Sequence, residues 1–214
     1  MLRRITWLLG LTAGLGTAVV IDQIAAIVGK HVIKASDIVR DLRLTDFLNN
    51  EPLDFSPSAR RKSVERLIDQ TVIGDSITNG GYKRPPESDA RALLNKVIHD
   101  RFGGSQARLR ESLSRYGLTE DELQAQLLWQ LTVLRFIDQR FRPEVMVSDD
   151  DVRAFYNQRS ADLRREYPQN PSFSALAPKI RNSLEGERIN QNFENWIAQA
   201  RKRTRIEYRE RAFQ

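Results

Sequence analysis

The residue types that most often perform chemistry are sparse in this chain. Its two histidines, His31 and His99, stand far apart, and neither belongs to a carboxylate motif of the kind that a metal site or a nucleophile relay requires. There is no cysteine, which excludes disulfides, thiolate metal sites and cysteine nucleophiles. We therefore predict surface or capping roles for both histidines, and no catalytic residue, metal or cofactor.

Two acidic runs need a separate explanation. Asp149 to Asp151 lacks the alternating ligands and the glycine of a calcium loop. Each run directly follows a capping residue: Ser148 precedes the first, and Thr119 precedes Glu120 to Glu122. Acidic side chains in a first helical turn complement the helix dipole. We therefore interpret both runs as helix starts, and not as a cation site or a catalytic carboxylate pair.

Composition limits the remaining function classes. The apolar fraction of 40% is enough for a core, and 34 Lys and Arg residues against 28 Asp and Glu residues give a net charge of +6. The basic residues are scattered along the chain, whereas a nucleic-acid binder usually concentrates them on one face. We expect neither a nucleic-acid partner nor a small-molecule substrate.

The N-terminus has the pattern of an export signal. Arg3 and Arg4 precede an uncharged stretch, Ile5 to Ile21, and Gly16-Thr17-Ala18 supplies small residues before a cleavage point. Residues 1–18 are predicted to be a signal peptide that directs the chain to the periplasm. The alternative is an uncleaved inner-membrane anchor, which is the only membrane association expected. Against it, the stretch is at the short limit for a bilayer span and is interrupted by glycines.

The regular elements follow from local patterns. Gln23 to Val28 and His31 to Lys34 are β-prone runs around Gly29-Lys30, the arrangement of a type II′ hairpin. Arg205 to Arg209 alternates with period two, so it is predicted to be a strand that pairs with the hairpin. Between them we predict about six helices. The expected fold is therefore mainly α, with a small sheet formed by an N-terminal hairpin and a C-terminal strand.

Capping signals position the central helices. Ser56-Pro57 begins one helix, and Thr119 with Glu122 forms a capping box that begins a long one reaching about Phe141. Ser148 is predicted to cap the start of the following helix in the same way. The final long helix is expected to begin near Ser174, with Pro178 tolerated because first-turn amides have no partner within the helix.

The long helix carries two apolar stripes. Trp129, Val133 and Phe136 form one of them. Roughly opposite lies a stripe of leucines with one aromatic residue: Leu123, Leu127, Leu131, Leu134 and Phe141. Two interpretations are open. The helix is buried between layers, as most apolar stripes are, or Trp129, Val133 and Phe136 form a peptide-binding surface.

The order of these motifs resembles the SurA/PpiC-type family of periplasmic chaperones. The resemblance rests on Ile24 to Asp37 for the initial hairpin, Leu67 to Ile73, Phe102 to Leu123, and Val147 to Tyr156. It implies a SurA N-terminal-like helical chaperone domain over residues 19–157, with residues 174–214 completing the same domain. Family members insert one or two parvulin domains between these parts. Here residues 158–173, far shorter than a parvulin domain, are predicted to be a connector.

The resemblance implies a protein that shields unfolded polypeptides, including outer-membrane protein precursors, without being an enzyme. A structural subunit or adaptor of an envelope complex is the alternative from another class. A prolyl isomerase is the least favoured hypothesis, because no parvulin domain is recognised and no catalytic residue carries over.

Overall fold

The structure, a computed structural model, describes residues 22–166 and 172–209. This part of the chain is mainly helical, with eight α-helices and one small sheet, which confirms the predicted fold class. The predicted signal peptide at residues 1–18 lies outside the described residues. The elements in chain order are β1 (Ile24–Val28), β2 (His31–Lys34), α1 (Ala35–Asn49), α2 (Pro57–Asn79), α3 (Glu87–Phe102), α4 (Gln106–Tyr116), α5 (Glu120–Phe141), α6 (Asp149–Gln158), α7 (Ser160–Glu166), α8 (Phe173–Arg203) and β3 (Ile206–Tyr208).

The sheet joins the two ends of the described chain. Its strand order is β2-β1-β3, with both pairs antiparallel, so the predicted pairing of the C-terminal strand with the hairpin is confirmed. In β3, Ile206 stands opposite Val28 and Tyr208 opposite Ala26. The hairpin turn has a positive φ at Gly29 and not at Lys30, which is the combination of a type II′ turn.

The predicted caps begin the helices that follow them. Ser56 accepts a hydrogen bond from the amide of Ala59 at 3.3 Å at the start of α2. In α5, the amide of Thr119 donates to Glu122 at 2.8 Å and the amide of Glu122 donates back to Thr119 at 3.2 Å. This reciprocal pair satisfies two backbone donors that the first helical turn leaves without partners.

Helix α5 lies at the centre of the fold. Its first half packs with α1, α3 and α4 around buried leucines, and its second half packs with α2 and α8 in an aromatic cluster. A third cluster joins the sheet to α1, α2 and the end of α8. Burial between layers, one of the two interpretations of this helix, therefore describes most of its length.

One segment has more regular structure than its sequence pattern indicated, and one local explanation is wrong. Residues 158–173, predicted to be a connector, contain α7, whose Leu163 packs on a small cluster of α6 and α8. A single packed apolar residue gives no helical periodicity, so the sequence pattern did not indicate this helix. Helix α8 begins at Phe173, which places Pro178 beyond the first turn. The explanation given for Pro178 was therefore wrong, since its missing N–H does remove a helical hydrogen bond.

Candidate functional site

The structure places the three residues of the proposed peptide-binding stripe in different surroundings. Phe136 is only 1% exposed, and its ring meets Tyr82, Phe141 and Trp196 at centroid distances of 4.9, 6.0 and 5.3 Å. Val133 is partly buried against the same aromatic cluster. Phe136 therefore holds α5 against α8 and offers no surface in this conformation.

Trp129 is partly buried, and it lines an open cleft. Its ring rests over Gly74 of α2, where a built Cβ atom would lie 3.8 Å from the indole. The cleft has a volume of about 410 Å³ and runs between β2, α1, α2 and α5. Its apolar lining consists of Val32, Ile33, Leu44, Leu67 and Trp129. Of the three stripe residues, Trp129 is the one that lines this cleft.

Charged side chains around the cleft are paired with one another. Arg40 lies between Asp37 and Glu122, at 3.6 and 3.4 Å. The largely buried Asp41 accepts a hydrogen bond from Arg66 at 2.5 Å. Because each of these charges has an opposite charge beside it, the cleft offers little electrostatic attraction to a charged ligand.

Glu122 connects this charge pairing to the start of α5. Its pKa lies below its ordinary value, chiefly because the Thr119 amide donates to the carboxylate, with a further contribution from Arg40. The carboxylate is therefore ionised at neutral pH and pairs with Arg40. The cap that begins α5 thus also fixes a charge at the edge of the cleft.

The neutral polar groups of the cleft are amides and a hydroxyl. Thr71 donates to the backbone oxygen of Leu67 at 2.8 Å, so its hydroxyl proton is already used. Gln70 and Gln126 also line the cleft, and no residue of the described chain forms a hydrogen bond with either amide. A side-chain amide both donates and accepts, so it can bind the donors and acceptors of a peptide backbone.

His31 has a partner that the sequence did not reveal. Its Nε2 lies 2.8 Å from the carboxylate of Asp75, which stands on α2 and is separated from it by more than forty residues. Both side chains are partly exposed, with values of 41% and 42%. A single histidine and a single aspartate so far apart form no motif, and only the packing of the hairpin on α2 brings them together.

The acidic runs begin helices, as predicted. Ser148 and Asp151 exchange capping hydrogen bonds of 2.9 and 3.1 Å at the start of α6, and Arg188 of α8 pairs with Asp151 at 3.0 Å. Within residues 22–166 and 172–209, no three metal-ligating side chains come together in a way that could hold an ion. Over the same residues, no helix has the length and apolarity of a membrane span.

Comparison with known proteins gives a distant similarity. No family model matches the chain. It is similar to a chaperone, namely Chaperone SurA of Chromobacterium violaceum, with 28% identity over 152 residues. The match covers 69% of this chain and 34% of the relative, so the chain corresponds to about a third of that protein's length. The similarity supports a distant relationship to SurA-like chaperones.

Proposed function

We propose that this protein is an exported chaperone that binds extended apolar segments of unfolded polypeptides without catalysis. The observation that carries the proposal is the cleft beside Trp129. Its apolar lining suits apolar side chains, its paired charges do not favour a charged ligand, and its two amides suit a peptide backbone. The distant similarity to a chaperone points in the same direction.

The compartment and the clients are part of the proposal. Arg3 and Arg4 before an uncharged stretch favour export, and the resemblance of the motifs to SurA favours the periplasm. Outer-membrane protein precursors fit as clients, because alternation of apolar and polar side chains is typical of their strands. Mass spectrometry of the native protein tests export, with a mature N-terminus expected at Val19.

An aggregation assay tests the chaperone activity. Light scattering of several unrelated unfolded proteins should fall when this protein is added at equal concentration. We expect Trp129→Ala to weaken that suppression, because tryptophan is the largest apolar side chain among the residues that line the cleft. Leu134→Ala is the matched control, since Leu134 belongs to the same helix, is 62% exposed and lies outside the cleft. Equal activity of all three proteins would contradict a role for the cleft.

An adaptor of an envelope complex is the second candidate. It is favoured by a shallow groove of about 490 Å³ that includes Leu131, the exposed Leu134 and Ile189. An adaptor would bind one fixed partner and would not suppress the aggregation of unrelated proteins. In that case we expect Leu134→Ala, and not Trp129→Ala, to reduce capture of the partner from envelope extracts.

Prolyl isomerisation provides a test of the non-enzymatic assignment. Residues 158–173 are too few for a parvulin domain, and α7 occupies part of them. A proline-containing test peptide should therefore isomerise at its uncatalysed rate, which is a matter of tens to hundreds of seconds. Acceleration at catalytic protein concentrations would contradict this expectation.

A further inference from the structure

One of the two outer edges of the sheet, that of β2, borders the cleft. Strand β2 is an outer strand, and three of its residues, His31, Val32 and Ile33, line the cleft opposite α1, α2 and α5. An outer strand presents backbone groups that can pair with another chain. Alternate residues of β1 form hydrogen bonds with β3 on one side and with β2 on the other. The bonds between β1 and β3 therefore identify which backbone groups of β2 are left without a partner in the sheet.

The register identifies Val32 as the residue whose backbone faces outward. The amide of Gly29 donates to the backbone oxygen of Arg205, and the amide of Arg209 donates to the backbone oxygen of Ala25, both at 2.8 Å. Hydrogen bonds in an antiparallel pair involve every second residue, so Ile27, which lies between Ala25 and Gly29, also bonds towards β3. Val32 stands opposite Ile27. The N–H and C=O of Val32 therefore point away from β1, and Val32 is one of the residues that line the cleft.

These two groups are unpaired within the described chain. No backbone or side-chain hydrogen bond from residues 22–166 or 172–209 reaches the N–H or the C=O of Val32. The next outward amide, that of Lys34, is already bonded to the Asp37 carboxylate at 2.9 Å. The Val32 side chain is 45% exposed. The open edge is thus short, consisting of one donor and one acceptor.

We infer that an extended segment of unfolded polypeptide binds in this cleft by adding a strand to β2. This inference rests on the proposed function and specifies how the client is held. The added strand forms two hydrogen bonds with Val32, while Gln70 and Gln126 are available for its other backbone groups. Its side chains alternate between the two faces of the sheet, so every second one is directed towards Ile33, Leu44 and Leu67.

The charge arrangement identifies the occupant as a neutral, apolar segment. Arg40, Asp37, Glu122 and Asp41 are engaged in pairs within the protein, so a charged client side chain finds no free opposite charge at this place. The polar groups at the cleft that have no partner within the described chain are instead those of the Val32 backbone and of the Gln70 and Gln126 amides. An uncharged segment of alternating apolar and polar residues matches both properties.

Val32→Pro tests the inference directly. Proline has no N–H, and proline is tolerated in an edge strand where that N–H would point outward, so the ladder with β1 is preserved. Anisotropy of a short, fluorescein-labelled peptide of alternating phenylalanine and threonine measures binding. We expect about a threefold to tenfold loss of affinity, the effect of one lost hydrogen bond. Val32→Ala, which keeps the N–H, should bind much more tightly than Val32→Pro.

The peptide provides a second, independent series, which decides the question even if Val32→Pro does not fold. Methylation of the peptide's backbone nitrogens at every second residue blocks one edge of an added strand. The methylation pattern that blocks the edge facing β2 should weaken binding to the unaltered protein more than the other pattern, which affects only contacts with Gln70 and Gln126. Equal effects of the two patterns, or unchanged binding by a folded Val32→Pro, would overturn strand addition while leaving the chaperone proposal intact.

Two further outcomes are distinguishable. If the unaltered protein neither binds the peptide nor suppresses aggregation, the proposed function itself fails along with the inference. If sedimentation shows a dimer that Val32→Pro converts into a monomer, the occupant of the β2 edge is a second copy of this chain. That result would also overturn the inference.

Discussion

Arg201 is the residue that most directly ties the end of the chain to its centre. From α8 it donates to Glu65 and, at 2.6 Å, to Asp69, both on α2, and the hydroxyl of Tyr208 in β3 lies 3.3 Å from Glu65. Its side chain is 25% exposed. Burial by itself would lower the pKa of Arg201, but the hydrogen bonds to Glu65 and Asp69 raise it above its ordinary value.

We predict that Arg201→Ala lowers the free energy of unfolding by about 1–2 kcal/mol. The variant removes charge-assisted hydrogen bonds at a partly buried position and leaves two carboxylates without their partner. Urea unfolding measures the change. Arg203→Ala is the control, because Arg203 has the same charge on the same helix and is exposed; its effect should stay within about 0.5 kcal/mol. Equal losses in the two variants would show that the network does not stabilise the fold.

Asp151 fastens the start of α6 to α8. The hydrogen bond from Arg188 is the main reason that the pKa of Asp151 is lowered to about 2, and bonds from Ser148 add to it. The carboxylate has a higher pKa in the unfolded chain, about 3.9. A carboxylate whose pKa is lower in the folded state adds stability above its unfolded pKa, and this contribution disappears as the pH falls through the folded pKa.

A pH series of unfolding tests this linkage. Asp151→Asn should be less stable than the unaltered protein above about pH 4, and the difference should shrink as the pH falls towards about 2. Asp150→Asn is the matched control, since Asp150 is the adjacent, exposed member of the same acidic run. A difference between Asp151→Asn and the unaltered protein that is constant from about pH 6 to about pH 2, the range over which carboxyl groups titrate, would contradict the expected linkage.

At the scale of elements, α5 shows how one helix serves two cores. Leu123 and Leu127 are buried with α1, α3 and α4, whereas Phe136 and Phe141 are buried with α2 and α8. Leu134, which shares a stripe with Leu123 and Leu127, is 62% exposed. The stripe, which ends at Phe141, is therefore buried at both ends and exposed at Leu134 between them, because the elements that cover the two ends do not reach Leu134.

Two alanine variants of α5 should separate these environments. Phe136→Ala should cost about 3–5 kcal/mol, since it removes a buried ring that contacts three aromatic neighbours. Leu134→Ala should change the free energy of unfolding by no more than about 0.5 kcal/mol. Chemical denaturation measures both values. A small loss for Phe136→Ala would mean that the aromatic cluster readily rearranges.

At the scale of the whole molecule, the sheet closes the chain on itself. Strand β3 covers the edge of β1 that would otherwise be open, and Ile206 packs on the cluster that joins the sheet to α1, α2 and α8. A two-stranded hairpin alone is only marginally stable in water. The N-terminal hairpin therefore depends on residues at the other end of the sequence.

Truncation tests this dependence. Removal of residues 205–214 should lower the free energy of unfolding by at least about 2 kcal/mol, because it removes the β1–β3 ladder and the packing of Ile206. That loss corresponds to a fall in melting temperature of about 4–8 °C. Removal of residues 210–214 alone, which keeps β3, serves as the control and should cost far less. Equal melting temperatures of the two truncated proteins would contradict the closure.

The helix starts and the hairpin turn could be predicted from the amino-acid sequence. The capping box of Thr119 and Glu122, the Ser56-Pro57 start and the Gly29 turn each involve groups only a few residues apart, so the chain's own chemistry specifies them. The pairing of the C-terminal strand was also predictable, because its period-two pattern and the hairpin's need for a third strand pointed to the same partner.

Tertiary structure alone decided which surfaces are covered and which groups meet. An apolar stripe indicates that a face is buried but does not say by what, so the burial of Phe136, the exposure of Leu134 and the cleft at Trp129 became clear only from packing. The same holds for His31 with Asp75 and for the outward backbone of Val32. These features depend on contacts between distant segments, which no local pattern of residues encodes.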